Sequence, residues 1–242
     1  MAMTKRWNES LEQLLLGVSW LRNLPESARA RVTADAYEMT YPAGATVVRK
    51  GEPANSWIGV AEGLLKVSAV YRSGKVVMFT GIPDGGWIGE GAVIKRELRK
   101  YDIVAMRDSR VIHIPGPTFR WLLDTSIEFN HFIIAHLNER LGQYIGMVET
   151  DRLTDPVARL ARAIASLFNP VLYPGTHTLL TVSQTELGEL AGLSRQTTNA
   201  AIKQLQAAGL LSAEYGGVLV KSVESLRGYV ESEPSMPSLT RR

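Results

Sequence analysis

Between residues 181 and 211, apolar side chains recur at the spacing of one helix face in two short runs. In the first run Ser183 is followed three residues later by Glu186, a capping-box pattern that starts a helix. Gly192 interrupts the pattern, Ser194 is placed to cap a second helix, and Gly209 ends it. The segment therefore predicts two helices joined by a tight turn, with these inward residues: Leu187, Leu190, Ala191, Ala201, Ile202 and Leu205.

Two short β runs follow at 212–221 around Gly216-Gly217, which is a strong signal for a hairpin. The helical pair alone fits a DNA-binding motif and an ordinary helical hairpin with a solvent-exposed polar face equally well. Two helices followed by a hairpin predict a winged helix-turn-helix instead. The outward residues at the start of its second helix are of types suited to base edges and phosphates: Arg195, Gln196, Thr197, Asn199 and Lys203.

In the first half of the chain, the spacing of apolar residues changes from helical to alternating. Residues 9–23 and 25–36 have helical patterns, and from Tyr37 the apolar positions alternate, as they do at Leu65, Val67 and Ala69. Glycine-bearing turns punctuate this region up to residue 115. Many short strands with such turns indicate an antiparallel barrel or sandwich.

A helical period returns at Thr118, and the segment 126–152 contains a heptad-like seam with spacing 7-3-4-3-4. Its members are Ile127, Ile134, Leu137, Leu141, Tyr144 and Val148. The pattern favours pairing with an identical helix, whereas the alternative is a helix packed on its own barrel through a second face formed by Phe129, Phe132 and Ile133.

The predicted divisions are 1–125 for the sensory domain with its N-terminal helices, 126–153 for the dimerisation helix, 154–230 for the DNA-binding domain and 231–242 for a disordered tail. Asp155-Pro156 marks the predicted hinge, and 157–168 the first helix of the DNA-binding domain.

Composition excludes several classes of protein. The chain has 242 residues, a net charge of +3 and no cysteine, which excludes disulfides, thiolate zinc sites and cysteine-ligated iron–sulfur clusters. It has no run of eighteen apolar residues and no signal-peptide pattern, so we expect no membrane contact and a cytoplasmic location. Charged residues within 181–230 cancel, which predicts modest non-specific affinity for DNA.

Enzyme chemistry has little support in the sequence. No H-x-H, H-E-x-x-H or Walker pattern is present, so we expect neither a metal site nor catalysis. Haem needs an axial histidine or cysteine, and a lone strand histidine such as His113 is more often a satisfied side chain than a ligand. His131 and His136 lie on the predicted long helix and His177 in a Pro-Gly loop, so no haem is expected.

Four separated motifs share the order found in one family. They are P-A-G at 42–44, K-G-E at 50–52, D-G-G-W-I-G-E at 84–90 and A-G-L-S-R-Q-T at 191–197. With them, the chain resembles the CRP/FNR superfamily of transcription regulators over nearly its whole length. The resemblance implies an α+β fold with a cyclic-nucleotide-binding-like antiparallel β-barrel (jelly-roll), a long dimerisation helix and a winged helix-turn-helix. It also implies a homodimer that binds double-stranded DNA and works with RNA polymerase.

The resemblance also places a candidate ligand site. In cyclic-AMP-binding members a Gly-Glu pair and a later Arg-Ser pair hold the sugar and phosphate; here the matching positions are Gly89, Glu90, Arg99 and Lys100. Members of that class offer a Thr-Ser pair to the adenine, where this chain has Tyr144 and Ile145. These departures disfavour cyclic AMP and leave two alternatives: another small anionic ligand, or no ligand and a structural pair of Glu90 with Arg99.

The family position implies that Arg195 contacts a guanine. Gln196 replaces a glutamate that is common at its position, so it is expected to read adenine instead of accepting from cytosine, and Asn199 is placed in the base-contacting group by its side-chain type. Ala200 stands where a further base-reading arginine often occurs, so specificity should differ from that of the best-known members. Phosphates are expected to meet Ser183, Thr185, Ser194, Thr197 and Lys203. Because a two-fold symmetric dimer presents two identical helices to DNA, we expect the DNA site to be palindromic. The competing hypothesis is a ligand-binding regulatory module that acts through protein contacts rather than DNA.

Overall fold

The structure is a computed structural model of the chain, and it describes residues 9–71, 76–150, 155–176, 178–214 and 216–229. The chain divides into two compact units. Unit 1 comprises the described residues of 1–146 and 167–177, and unit 2 those of 147–166 and 178–242. The division falls within the helix 126–153 that was predicted for dimerisation, since residues 147–150 belong to unit 2, and it assigns segment 167–176 to unit 1. Residues 151–154, which precede the predicted hinge at Asp155-Pro156, and the predicted tail 231–242 lie outside the described residues.

Unit 1 begins with three helices: α1 (Leu11–Leu16), α2 (Ser19–Arg22) and α3 (Glu26–Asp35). The prediction of one helix over 9–23 is wrong, since the chain breaks after α1. The N–H of Gly17 donates to the carbonyl of Leu14, and Val18 adopts an extended conformation before α2. The helix expected over 25–36 is present as α3.

Among the residues described between 37 and 115, eight strands follow, arranged as two four-stranded antiparallel sheets with the orders β1-β8-β3-β6 and β2-β7-β4-β5. The predicted fold class is confirmed as a jelly-roll type, although the strands form two sheets rather than one closed barrel. A short helix, α4 (Glu90–Lys95), follows β6. The strands are β1 (Tyr37–Tyr41), β2 (Thr46–Val48), β3 (Ser56–Glu62), β4 (Leu64–Val70), β5 (Val76–Pro83), β6 (Trp87–Ile88), β7 (Asp102–Ala105) and β8 (Ser109–Pro115).

Unit 1 has two apolar cores. The inner core takes residues from both sheets, including Ile58, Leu65, Ile82, Ile103 and Val111, each with less than 1% of its surface exposed. Full burial of such a side chain contributes about 1.5–3 kcal/mol, so this core is the main stabilising element of the sandwich. Segment 167–176 adds two of its own side chains to this core, Leu172 and Tyr173.

The second core is aromatic and lies between the first sheet and the helices. Trp20, Trp57 and Trp87 have ring centroids 4.3–5.4 Å apart, and Phe119 and Phe129 pack against Trp57. These rings join α2, β3 and β6 to two later helices, α5 (Gly116–Thr125) and α6 (Ile127–Thr150). A Cβ at Gly59 would lie 2.7 Å from the Trp87 ring, so glycine lets that ring lie against β3.

Helix α6 presents two apolar faces. Phe129 and Ile133 are buried in the aromatic core, so the alternative of intramolecular packing holds for that face. The other face is an exposed stripe, which we call the α6 stripe: Ile127, Ile134, Leu137, Leu141, Ile145 and Val148. Tyr144 was predicted in this seam, but it is half-buried, and the exposed stripe has Ile145 in its place.

Unit 2 is a winged helix-turn-helix, as predicted. Its helices α7, α8 and α9 pack around buried residues such as Leu160, Ile164, Leu187 and Ile202. Its three-stranded sheet has the order β10-β11-β9, in which β9 was not predicted. The elements are α7 (Pro156–Ser166), β9 (Leu179–Leu180), α8 (Gln184–Ala191), α9 (Arg195–Ala207), β10 (Leu211–Glu214), β11 (Gly217–Val220) and α10 (Val223–Arg227).

A buried histidine makes the stability of unit 1 pH-dependent. His113 on β8 lies 3.0 Å from Ser56 Oγ through Nδ1 and 3.3 Å from Tyr41 Oη through Nε2. Its ring stacks on that of Tyr37 at 4.9 Å. Burial lowers the pKa of His113 from 6.5 to about 4, and the charge of Arg99 acts in the same direction. The folded protein therefore holds this ring neutral.

We expect the free energy of unfolding to fall as the pH drops from 6.5 to 4, because the unfolded chain binds a proton there that the folded chain does not. His113 should contribute about 2 kcal/mol of the loss between pH 7 and pH 4.5. Urea unfolding of the wild type and of His113→Gln at both pH values measures this contribution. If both proteins lose the same stability, His113 is not the titrating group.

Candidate nucleic-acid interface and effector site

The capping predicted for the helix-turn-helix is present. The N–H of Glu186 donates to Ser183 Oγ at 3.2 Å, and the N–H of Ser183 donates to Glu186 Oε2 at 2.6 Å. At the start of α9, the N–H of Thr197 donates to Ser194 Oγ at 3.2 Å. Two of the proposed phosphate contacts, Ser183 and Ser194, are therefore also the caps that start α8 and α9.

The tight approach of α8 and α9 depends on the predicted break at Gly192 and on two residues that were not predicted, Gly188 and Thr198. A Cβ at Gly188 would lie 2.8 Å from Thr198 Oγ1, so only glycine fits there without a shift. Thr198 is fully buried, and its hydroxyl donates to the carbonyl of Ser194 at 2.9 Å. Gly192 forms the turn with a φ of 64°, which favours glycine. A glycine inside a predicted helix was the available signal of close packing.

The exposed side of α9 carries most of the predicted DNA contacts. Arg195, Gln196 and Lys203 are exposed, whereas Asn199 is half-buried and its Oδ1 has no hydrogen-bond partner within the described residues. Thr197 is half-buried, with its hydroxyl 2.8 Å from Ser194 Oγ. The remaining predicted phosphate contacts are exposed: Ser183, Thr185 and Ser194. The structure thus leaves polar hydrogen-bonding groups available along the first turns of α9.

In unit 1, three of the predicted ligand-site residues come together at the start of α4. Gly89 caps α4 with a φ of 96°, and Glu90 follows it with only 4% of its surface exposed. Arg99 is 3% exposed, and its Nη1 donates to the carbonyl of Gly89 at 3.0 Å. Its Nη2 donates to the carbonyl of Ser56. The guanidinium is thereby held beside Glu90.

Three further buried residues extend this site and were not predicted: His136 and Arg140 from α6, and Tyr173 from segment 167–176. Arg140 Nη1 donates to Tyr173 Oη at 2.7 Å, and Arg140 Nη2 donates to the carbonyl of Trp87 at 2.8 Å. His136 Nε2 lies 3.9 Å from Glu90 Oε2. No local pattern in the sequence links His136 and Arg140 to Glu90 or to Tyr173, because these partners lie more than 30 residues away along the chain.

The site combines buried charges with unsatisfied polar atoms. Burial lowers the pKa values of Arg99 and His136 and raises those of Tyr101 and Tyr144. Several of its buried atoms have no hydrogen-bond partner among the residues described: Glu90 Oε2, Arg99 Nε, Arg140 Nε and both ring nitrogens of His136. Because buried polar groups are normally paired, such a concentration points to a ligand or to water. We call this group the effector site.

Comparison with known proteins now identifies the two units. The cyclic nucleotide-binding domain model matches residues 38–126, and the Crp-like helix-turn-helix domain model matches residues 158–229. Together they cover both the sandwich and the winged helix. The chain belongs to the CRP/FNR superfamily of transcription regulators. It is therefore a DNA-binding transcription regulator with a sensory cyclic nucleotide-binding domain.

Individual relatives are distant but cover most of the chain. The cAMP-activated global transcriptional regulator CRP of Haemophilus influenzae is 25% identical over 74% of this chain and 82% of its own length. The structure of FixK2 from Bradyrhizobium japonicum has a TM-score of 0.64 at 16% identity and covers 80% of this chain and 96% of that one. The c-di-GMP-responsive global regulator CLP of Xanthomonas campestris has a TM-score of 0.56 at 24% identity, over 82% of this chain and all of that one.

Lys100 does not join the effector site. Its side chain is 64% exposed, and its Nζ lies 3.2 Å from Glu97 Oε1 on the surface. The next residue, Tyr101, is half-buried, and its pKa is raised by burial and by the charge of Glu90. Lys100 is thus exposed beside the buried Arg99, and its contact with a ligand stays a prediction.

Two negative findings apply to the described residues. Within the ranges given for the fold, no group of three or more His, Asp or Glu side chains is arranged to hold a metal ion. A search of the same ranges finds no helix with the length and apolar character needed to span a membrane.

Proposed function

We propose that this regulator is a cytoplasmic homodimer that senses a small anionic ligand at the effector site and reads a palindromic DNA site with α9. The observation that carries the proposal is the effector site itself, in which Glu90, Arg99 and Arg140 are buried with unpaired polar atoms. A ligand that supplies both a negative charge and a hydroxyl group would satisfy these atoms.

The α6 stripe supports the homodimer. Its six apolar residues lie on one face, and each is 37–71% exposed in the single chain. Contiguous exposed apolar residues are uncommon on monomeric proteins, and spacings of three and four match the seam of a coiled coil. A second copy of α6 would bury this stripe, which supports an interface related by two-fold symmetry.

The nature of the ligand follows from the walls of the effector site. The relative from Haemophilus influenzae is named as cAMP-activated and the one from Xanthomonas campestris as c-di-GMP-responsive, so ligands differ among these relatives. Where cyclic-AMP-binding members offer a Thr-Ser pair to the adenine, α6 of this chain has the bulkier, half-buried Tyr144 and the exposed, apolar Ile145. The second guanidinium, of Arg140, adds positive charge. We therefore propose an anion other than cyclic AMP.

At the DNA, each residue has a proposed role. Arg195 would donate two hydrogen bonds to a guanine, Gln196 would read an adenine, and Asn199 would contact a neighbouring base. Phosphates would bind Ser183, Thr185, Ser194, Thr197 and Lys203 and thus fix the position of α9 without reading sequence. Two such helices in a dimer would contact half-sites about 34–36 Å apart. RNA polymerase is the proposed protein partner.

A ligand screen tests the sensory role. We expect one member of a panel of cyclic mononucleotides, cyclic dinucleotides and small organic anions to raise the melting temperature by about 5–10 °C at a hundred times its Kd. Arg99→Ala should abolish the shift, because the buried guanidinium supplies the charge. Lys100→Ala is the matched control and should retain the shift, since Lys100 faces solvent.

Two results would contradict the proposal about the ligand. If the whole panel leaves the melting temperature unchanged, or if the shift survives in Arg99→Ala, the effector site does not bind an anion. If cyclic AMP alone stabilises the protein, the argument from Tyr144 and Ile145 is wrong. Differential scanning fluorimetry of the full chain measures all of these outcomes.

A further inference from the structure

Segment 167–176 completes the inner core of unit 1 from a distant part of the chain. It lies inside the range that the helix-turn-helix model matches, residues 158–229, yet it belongs to unit 1. The cyclic nucleotide-binding model ends earlier, at residue 126. Leu172 and Tyr173 are each 1% exposed and pack in the inner core. A segment from the DNA-binding half of the sequence therefore fills part of the interior of the sensory unit.

The segment packs closely against the turn between β5 and β6. A Cβ at Gly86 would lie 2.9 Å from the Tyr173 ring, and a Cβ at Gly85 would lie 3.1 Å from the backbone nitrogen of Gly175. The carbonyl of Asn169 accepts the N–H of Tyr173 at 2.8 Å, which folds the segment back on itself. Small residues on both sides thus leave room for the docked segment.

Tyr173 places an aromatic ring and a hydroxyl group inside the effector site. Its Oη accepts a hydrogen bond from Arg140 Nη1 at 2.7 Å and one from Gln143 Nε2 at 3.1 Å. The same hydroxyl donates to the carbonyl of Gly81 at 3.2 Å. The Cζ atom of Arg140 lies 5.5 Å from the centre of the Tyr173 ring. Tyr173 therefore occupies the space from which a small ligand would contact Arg140.

Arg140 is a buried charge whose hydrogen-bond acceptors are neutral. It is 4% exposed. Within the described residues, its guanidinium donates to Tyr173 Oη, to Gln143 Oε1 at 2.9 Å and to the carbonyl of Trp87. None of these acceptors carries a negative charge. Because buried charges are normally paired with an opposite charge, this arrangement points to an anion that is bound in another state of the protein.

The charges of the effector site fit a single anion. Arg99 and Arg140 are two buried guanidinium groups, and Glu90 is the carboxylate buried with them. Burial lowers the pKa of His136, so its ring is neutral at pH 7. The site therefore has an excess of one positive charge, which a ligand with one carboxylate would neutralise.

We propose that Tyr173 is an internal competitor in the effector site, and that the effector is an aromatic carboxylate that displaces it. The ring of the ligand would replace the phenol ring in the inner core, and its carboxylate would replace the neutral hydroxyl at Arg140. A guanidinium binds a carboxylate more strongly than a neutral hydroxyl, which gives the ligand its advantage over Tyr173. This inference rests on the proposed function and narrows its anion to one class.

Displacement of Tyr173 would reach the DNA-binding unit through the chain itself. Segment 167–176 connects α7 to β9, and both of these elements belong to unit 2. While Tyr173 is docked, the connection is packed in unit 1, and a ligand in its place would release it. The binding of an aromatic carboxylate and the binding of DNA are therefore expected to be coupled.

The test uses the full chain and three probes: benzoate, its neutral analogue benzamide, and acetate, which has the charge without the ring. By isothermal titration calorimetry, the wild type should bind benzoate about tenfold or more tightly than either of the others, since a hydrogen bond to a charged group is worth that much. Tyr173→Ala should bind benzoate about tenfold more tightly than the wild type, because no competitor has to leave. Val171→Ala, in the same segment but 38% exposed, is the control and should keep the wild-type affinity.

Hydrogen exchange of the wild type tests the displacement without any substitution. The amide of Leu172 donates to Asn169 Oδ1 at 2.9 Å, and that of Thr176 to the carbonyl of Tyr173 at 3.1 Å. Saturating benzoate should speed exchange at these amides by about fivefold or more, because the docked segment opens. A ligand that binds beside a docked Tyr173 would leave their exchange unchanged or slow it.

Fluorescence anisotropy measures the coupling to DNA. Saturating benzoate should change the DNA affinity of the wild type by about fivefold or more, and that of Tyr173→Ala by less than about twofold, because the segment is already released there. An unchanged DNA affinity of the wild type would overturn the link between displacement and DNA binding.

Three results would overturn the competition itself: benzamide or acetate binding as tightly as benzoate, exchange in the segment that does not rise, or an unchanged benzoate affinity in a folded Tyr173→Ala. If Tyr173→Ala does not fold, the probes and the exchange measurement on the wild type decide. If benzoate does not bind while another anion stabilises the wild type but not Arg99→Ala, this inference fails and the proposed function stands. If no anion stabilises the wild type, both fail.

Discussion

Replacing Leu141 with glutamate is expected to convert the protein into a monomer and to weaken its binding to a palindromic site by about 100-fold or more. Leu141 lies in the middle of the α6 stripe and is 58% exposed in the single chain. In a dimer its side chain would be buried, and an unpaired carboxylate there would lose its solvation without compensation. Two linked half-site contacts bind about 10²–10⁴ times more tightly than one, and the monomer loses this gain.

Sedimentation equilibrium and fluorescence anisotropy measure the two parts of this prediction. Ala135→Glu is the matched control, because Ala135 is exposed on α6 but lies outside the stripe. It adds the same charge to the same helix and should leave both the dimer and the DNA affinity unchanged. A Leu141→Glu protein that remains dimeric would show that α6 is not the interface. A monomer that retains full affinity would show that the DNA site is read by one chain.

The second large expected effect is a loss of DNA affinity and specificity when Arg195 on α9 is replaced. Arg195→Ala should weaken binding to the selected palindromic site by about 5–150-fold, because a bidentate contact to guanine is worth roughly 1–3 kcal/mol. Arg195 is exposed at the first position of α9, so replacing its side chain should change the free energy of unfolding little. The preference for guanine at one position of each half-site should disappear at the same time.

Competition binding against sites with each base at that position measures the loss of discrimination. Arg227→Ala is the control, because Arg227 is an arginine of the same unit that pairs with Glu224 on α10 at 3.9 Å. Lys203→Ala should instead weaken binding to all sequences alike and reduce the slope of log K against log salt by about one. An Arg195→Ala protein with unchanged affinity and specificity would remove Arg195 from the proposed interface.

The helix-turn-helix was predictable because its signals are local. The capping box of Ser183 and Glu186 and the left-handed turn at Gly192 each depend on residues within a few positions of one another. The motifs that carry the family resemblance are also short and continuous. Such patterns predict the local backbone conformation directly, and the helices and turns that they predict are the ones that pack together in unit 2. The contact of Gly188 with Thr198, the short strand β9 and the helix α10 needed the tertiary structure.

The effector site was predictable only in part. Gly89, Glu90 and Arg99 are placed by the family motif and by the turn before α4, and the structure brings them together. His136, Arg140 and Tyr173 join them from sequence positions 30 or more residues away, and no pattern within one segment records such contacts. Lys100 follows Arg99 directly in the sequence, yet its side chain is exposed, which the motif alone did not indicate.

The sequence by itself therefore determined the succession of N-terminal helices, β-rich region, long helix and winged helix-turn-helix, and most of the apolar seam on α6, because these follow from periodicity and caps. The tertiary structure decided three further features of the fold. It split the N-terminal helix at Gly17, exchanged Tyr144 for Ile145 on the exposed face of α6, and placed segment 167–176 in the core of unit 1. The physical reason is common to all three: each depends on which surface is buried by distant residues, and burial is a property of the whole packed unit.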